Sequence, residues 1–310
     1  MSNPVFERSP MFGDPSKRTR RGNAPGGQRG GQATAYAPQG QYGYSQPYGQ
    51  TQAPGMTPEQ QFENIERAYQ GPPAAPADTG RMTYDDVIMK TGMVLGVIVL
   101  AAAANWLLFD ANMILTFGGL IVGLVLGLVN AFKREPSPAL IMAYAAAEGL
   151  FLGGISAMFE NFGPNYEGIA LQAVIGTMVT FAVSLFLFKS GAVRVTPKFT
   201  KWLMIAVISY AAFSLVNLVV MWTGVSDNPW GMRGAELPIF GGIPLGVVLG
   251  IFAIGLAALV LIMDFDAIKR GVEGGAPARY AWSAAFGLAV TLVWLYIEFL
   301  RLLAILRGGE

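Results

Sequence analysis

The sequence predicts an all-α integral membrane protein: a seven-transmembrane-helix bundle with a disordered N-terminal cytoplasmic head. Three observations carry this reading. Charged residues make up 13% of the 310 residues and hydrophobic ones 53%, whereas a water-facing domain carries about a quarter charged residues. From Val87 onward, apolar runs recur that are each about 20 residues long, enough to cross about 30 Å of hydrocarbon. The breaks between the runs alternate between basic and acid-biased, as expected when Lys and Arg set the topology.

The head, residues 1–81, is dominated by Gly, Gln, Pro, Tyr, Ala and Ser, as in Gly22 to Gly55. It has too few aliphatic side chains to offset chain entropy, so disorder is expected. Its Gln/Tyr/Gly bias around Tyr36, Tyr42, Tyr44 and Tyr48 suits weak self-association; an inert tether is the plainer alternative. Lys17, Arg18, Arg20 and Arg21 suit contact with anionic lipid headgroups. Thr57-Pro58-Glu59-Gln60 combines a capping Thr, Pro at the first helical position and a Gln three residues after the cap. A short amphipathic helix carrying Phe62, Ile65 and Tyr69 is expected from it. Thr83-Tyr84-Asp85-Asp86 repeats the capping chemistry and marks the start of the first membrane helix. No secretory signal is expected, because the first long apolar segment begins far from the N-terminus.

The membrane domain is expected over 82–306, with spans near 88–108, 113–132, 138–158, 168–188, 202–222, 240–263 and 283–306, and a short tail at 307–310. A β-barrel would instead show alternating segments of about ten residues. The second break holds Lys133 and Arg134, the fourth Lys189, Arg194, Lys198 and Lys201, and the sixth Lys269, Arg270 and Arg279. The other breaks hold Asp110, then Glu160 and Glu167, then Asp227, Arg233 and Glu236. The expected placement is a multi-pass protein of the cytoplasmic membrane with the N-terminus inside and, after seven spans, the C-terminus outside. Trp202, Trp222 and Trp282 fall at span ends, where an interfacial aromatic belt belongs.

Composition narrows the chemistry. No Cys is present, so disulfides, thiolate metal sites and thiol nucleophiles are excluded. No His is present either, which removes Ser–His and Cys–His nucleophiles and most transition-metal sites. A net charge of +1 gives no footprint for nucleic acid. Gly271 and Gly274-Gly275 read as a loop, since no Walker-type Lys follows them. The expected partner is the bilayer; no cofactor is expected, and the oligomeric state is open.

An ionisable residue inside a span is a functional candidate by default, and three carboxylates qualify: Glu148, Asp264 and Glu298. Glu298 stands three residues before Arg301, so one reading is a self-neutralising pair on one helix face. The other is a carboxylate facing a polar cavity, released if Arg301 snorkels outward. Asp266 has Lys269 and Arg270 three and four residues on and reads as a solvated ion pair. Asp264 has only Ala267 and Ile268 there, so it must be solvated, protonated or paired with another helix. It is the leading candidate. Glu148 lies mid-span with no local cation, either as a polar helix contact or as part of an ion path. Gly119, Gly123 and Gly127, and likewise Gly242, Gly246 and Gly250, repeat every fourth residue and read as close-packing rows.

Three segments together resemble a known family: Tyr144-Ala145-Ala146-Ala147-Glu148-Gly149-Leu150-Phe151-Leu152-Gly153, Asp264-Phe265-Asp266-Ala267-Ile268 and Leu295-Tyr296-Ile297-Glu298-Phe299-Leu300-Arg301. In order and spacing they resemble the Bax inhibitor-1/YccA-like family, also called the transmembrane Bax inhibitor motif family, over roughly 82–306. The resemblance implies a bundle around a central last helix and a pH-sensitive calcium leak. It also implies a proton-sensing carboxyl pair, with Asp264 in the first position and Glu298, a Glu in place of Asp, in the second. These two would then contact the transported calcium, with Glu148 on the same ion path. A second reading follows from relatives associated with membrane proteases: a stress-related regulatory protein that binds or modulates such a protease without transport. An enzyme is not expected, because rhomboid-type hydrolysis needs His and the Gly-x-Gly-Asp motif of intramembrane aspartyl proteases is missing.

Overall fold

The computed structural model describes residues 80–226, 228–238 and 242–308. The expected disordered head and the short helix begun by Thr57 lie outside these residues, up to residue 79. Seven long helices follow: α1 (Tyr84–Ala103), α2 (Met113–Phe132), α3 (Pro138–Glu160), α4 (Ile169–Ser190), α5 (Pro197–Thr223), α6 (Leu245–Glu273) and α7 (Ala281–Arg307). Each is long and apolar enough to cross a membrane, so the chain is a multi-pass membrane protein that sits in a lipid bilayer.

Local chemistry sets the helix ends. Thr83 caps α1 through a reciprocal box: Asp86 N–H donates to Thr83 Oγ1 at 3.0 Å, and Thr83 N–H donates to Asp86 Oδ2 at 3.2 Å. Just before it, Met82 N–H donates to Ala276 O, and Ala278 N–H donates to Gly80 O. This strap ties the entry of the first span to the turn between α6 and α7. Lys90 completes it, donating to Ala278 O at 3.0 Å and lying over the Trp282 ring. Thr196 caps α5, with Pro197 pre-set for the first helical position. The end of α1 winds into a π-helical turn, Ala104–Leu108. There Asn105 Nδ2 donates to Thr116 Oγ1 and to Leu150 O, joining α1, α2 and α3.

α7 is the axis of the bundle. It packs against α1, α3, α4 and α6, while α2 lies against α3 and α5 against α6. Ala257, Leu261, Leu288, Leu292 and Leu295 form the main core along the α6–α7 seam. The glycine row of α2 faces α3: Gly119 meets the backbone at Ala147 and Phe151, Gly123 meets Glu148, and Gly127 meets Tyr144. In the sixth span the row is shorter than expected. Gly246 and Gly250 face Ile305 and Leu302 of α7, but Gly242 precedes the helix with φ 86°.

The sixth span is also displaced. The expected span 240–263 with a break at 264–282 is instead a helix over Leu245–Glu273. Hydropathy falls at Asp264, but Ala267, Lys269, Arg270 and Glu273 are helix-compatible residues that extend the backbone hydrogen bonding. Asp264 therefore does not end its helix. It sits nine residues before Glu273, about 13 Å along the axis.

Candidate functional site

Two polar nodes lie along the α6–α7 seam. The first is formed by Asp264 and Thr291. Thr291 Oγ1 donates to Asp264 Oδ2 at 2.8 Å. Among the described residues, no Lys or Arg forms an ion pair with Asp264. Asp266, two residues on, behaves differently: Arg270 Nη1 lies 2.7 Å from its Oδ2. Lys269, expected as a second partner of Asp266, turns to Glu273 at 3.8 Å instead.

The second node is built around Glu298, seven residues after Thr291 and about 10 Å farther along α7. Only 2% of Glu298 is exposed. Tyr210 Oη donates to its Oε1 at 2.7 Å, Trp294 Nε1 donates to the same oxygen at 3.1 Å, and Arg301 Nη1 donates to both carboxylate oxygens at 3.0 Å. The self-neutralising pair with Arg301 is therefore present, but inside a larger network. That network includes the Trp294 indole donor, one helical turn before Glu298.

Arg233 completes this node and is the least expected member. By sequence it belongs to the fifth break, with Asp227 and Glu236, yet it is 3% exposed. The connection between α5 and α6 folds back into the bundle, which accounts for the difference. Asn217 of α5 pins it by accepting from Met232 N–H at 2.8 Å and donating to Trp230 O at 3.3 Å. Trp230 stacks on Phe159, and a two-stranded hairpin, β1 (Glu236–Leu237) with β2 (Ile243–Pro244), leads into α6. A 3-10 turn at Gly231–Gly234 thus aims Arg233 inward. Its Nη2 donates to Tyr210 Oη at 3.0 Å and to Ser214 Oγ at 2.8 Å, and its guanidinium lies over the Tyr210 and Phe213 rings.

The electrostatics of the nodes are opposite. At Glu298 one carboxylate faces two guanidinium groups, so the node carries a formal excess of one positive charge. Desolvating three charges is costly unless hydrogen bonds compensate. The phenol and indole donate to the carboxylate. Among the described residues Arg233 Nη1 is buried without a hydrogen-bond partner, and the Arg233 guanidinium lies over two aromatic faces. At Asp264 one carboxylate faces one hydroxyl. Between the nodes Leu261 and Leu295 are fully enclosed, so an apolar layer separates them.

The carboxyl pair implied by the resemblance is not formed. Asp264 meets Thr291 on α7, while Glu298 meets Tyr210, Trp294 and Arg301. Glu148 lies elsewhere, on α3, where a side chain at Gly123 of α2 would come within 2.6 Å of its Oε2. Among the described residues no group of three or more acidic side chains gathers as a metal cluster. Of the residues not foreseen, Trp294 was findable from its four-residue spacing to Glu298. Tyr210, Arg233 and Thr291 reach their partners across 88, 23 and 27 residues of sequence, where no periodicity points to them.

No curated protein matches the chain by sequence. A sequence model of the family described as Bax inhibitor 1 like matches residues 3–308, extending through the N-terminal segment and not only the expected 82–306. Seven membrane-crossing helices around a central α7, together with a match over nearly the whole chain, establish that this protein belongs to the Bax inhibitor 1 like family of membrane proteins.

Proposed function

We propose that the chain is a passive, proton-modulated cation leak, permeable to calcium, and that the conformation described above is a closed one. The cytoplasmic membrane is its proposed site, with the head in the cytoplasm and the tail outside. The basic residues at the second, fourth and sixth breaks support that orientation. The observation that favours transport most is Asp264, a carboxylate two to three turns inside α6 whose bonded partner is a neutral hydroxyl. Such a group inside a membrane span is retained at a cost, which argues for a role beyond packing.

In this mechanism ionised Asp264 draws a cation into the half of the bundle nearer the α6–α7 turn, and protonated Asp264 does not. One carboxylate and one hydroxyl fall short of the six to eight oxygens that calcium takes, so water fills the rest of its shell and the ion is cargo. Onward passage requires the layer at Leu261 and Leu295 to part and the Glu298 network to loosen. That loosening exposes a second carboxylate along the path.

The test is calcium flux into liposomes containing only the purified full-length protein, measured across pH. Asp264→Asn should abolish the pH dependence, because the amide keeps the shape and does not titrate. Unchanged pH dependence in folded Asp264→Asn would remove the sensor role. Absence of flux from the wild-type protein at every pH would remove transport altogether, leaving the protease-regulator reading.

A further inference from the structure

A pocket of about 420 Å³ opens at the end of the bundle where α5 begins and α6 ends. α5 supplies Thr200, Lys201 and Met204 to its lining, α6 supplies Arg270, and Val195 comes from the connection before α5. It is separate from both nodes: Arg270 lies six residues beyond Asp264 on α6, about 9 Å along the axis. Two cations from different helices therefore face one space. Lys201 is exposed and, among the described residues, forms no ion pair. Arg270 gives Nη1 to Asp266, but a guanidinium carries five N–H donors and this side chain is 64% exposed. Thr200 adds a hydroxyl.

Charge identifies the occupant as an anion. From Gly168 to Ser226 the chain has no acidic residue, while Lys189, Arg194, Lys198 and Lys201 all fall within that stretch. On α6 the carboxylates of Asp266 and Glu273 are already paired, with Arg270 and Lys269. An ammonium, a guanidinium and a hydroxyl that converge on one space offer what the oxygens of a phosphate accept. A positively charged headgroup such as choline finds no free carboxylate among the lining residues.

We propose that this pocket holds the phosphate of an anionic membrane phospholipid. The surface beside it favours a lipid over free phosphate. Ile205 and Ile208 stand four and seven residues after Lys201, on the same face of α5, and both are exposed. Met204 joins them from the pocket itself, and Trp202, beside Lys201, is exposed as an interfacial ring. A charged pocket thus continues into an apolar strip along one helix, the order in which a phospholipid presents its headgroup and its chains. Basic pockets between membrane helices recognise anionic headgroups by the same chemistry. The site is independent of the leak, since it uses neither Asp264 nor Glu298.

The experiment is native mass spectrometry of the purified full-length protein in detergent, with equal amounts of phosphatidylglycerol and phosphatidylcholine carrying the same chains. Phosphatidylglycerol should be retained several-fold over phosphatidylcholine. Lys201→Glu should lower that ratio roughly fivefold or more, as expected for the loss of about one cation at the membrane surface. Lys133→Glu, the same charge change at the exposed residue after α2, should leave the ratio unchanged. Inorganic phosphate added at constant ionic strength should not displace the lipid. A wild-type protein without the preference, or equal losses in the two variants, overturns the proposal and leaves only diffuse attraction between charges. Displacement by inorganic phosphate overturns it too, and assigns the pocket to the free ion. Should Lys201→Glu fail to fold, Lys201→Gln read in the same way gives the decision.

Discussion

Asp264 and Glu298 are the same kind of group on the same seam, yet they are treated in opposite ways. Glu298 accepts from a phenol, an indole and a guanidinium, with a second guanidinium behind the phenol. Asp264 accepts from one threonine hydroxyl. A carboxylate held by several donors is difficult to move; one with a single neutral donor can exchange it for a cation or water. Burial alone does not tell these roles apart. Partner count and partner charge do.

Removing the carboxylate from the saturated node should have the largest effect. Glu298→Gln leaves Arg301 and Arg233 without their anion, and breaking a buried pair from one side costs about 3–5 kcal/mol. Thermal unfolding in detergent should therefore show a large loss of stability, and an unchanged Tm would mean the node is already wet. Tyr210→Phe is milder. It strips one donor from Glu298 and one acceptor from Arg233, an expected loss of about 1–3 kcal/mol in the same measurement.

At the sparse node the expected loss is smaller. Thr291→Val keeps the shape and removes the hydroxyl that donates to Asp264, for about 1 kcal/mol. A loss as large as that of Glu298→Gln would show the two nodes to be alike after all. Asp266→Asn should change least, within about 0.5 kcal/mol, since its partner Arg270 is 64% exposed and screened. The pH profile of calcium flux should also survive that substitution.

Much of this was legible in the sequence. Seven apolar runs gave seven helices, the Thr83 box gave the start of the first, and the glycine row 119–123–127 marked a close-packing face, though not that α3 would meet it. All are local or periodic features. Intramembrane charge singled out Asp264 and Glu298, because an ionisable group in an apolar run stands out whatever surrounds it. The partners did not stand out. Tyr210 and Thr291 are ordinary polar residues of spans, and Arg233 sits in a polar connection that composition assigns to solvent. Only the return of that connection, pinned by Asn217, reverses the assignment. The end of α6 was missed for a related reason: hydropathy reports where lipid ends, whereas helix geometry reports where hydrogen bonding ends.

The strap from Gly80 to Met82 also orders events in time. Lys90 of the first span bonds a carbonyl 188 residues later. At synthesis rates of about 5–20 residues per second, that partner leaves the ribosome roughly 10–40 s after Lys90 does. α7 follows the other six described spans in the chain, so neither node can form until it arrives. Arrival of α7 delivers Thr291 to Asp264 and Glu298 to Tyr210, and closes the turn onto the strap. Assembly of both nodes is thus deferred until α7 has been made, and a nascent chain without α7 has neither of them.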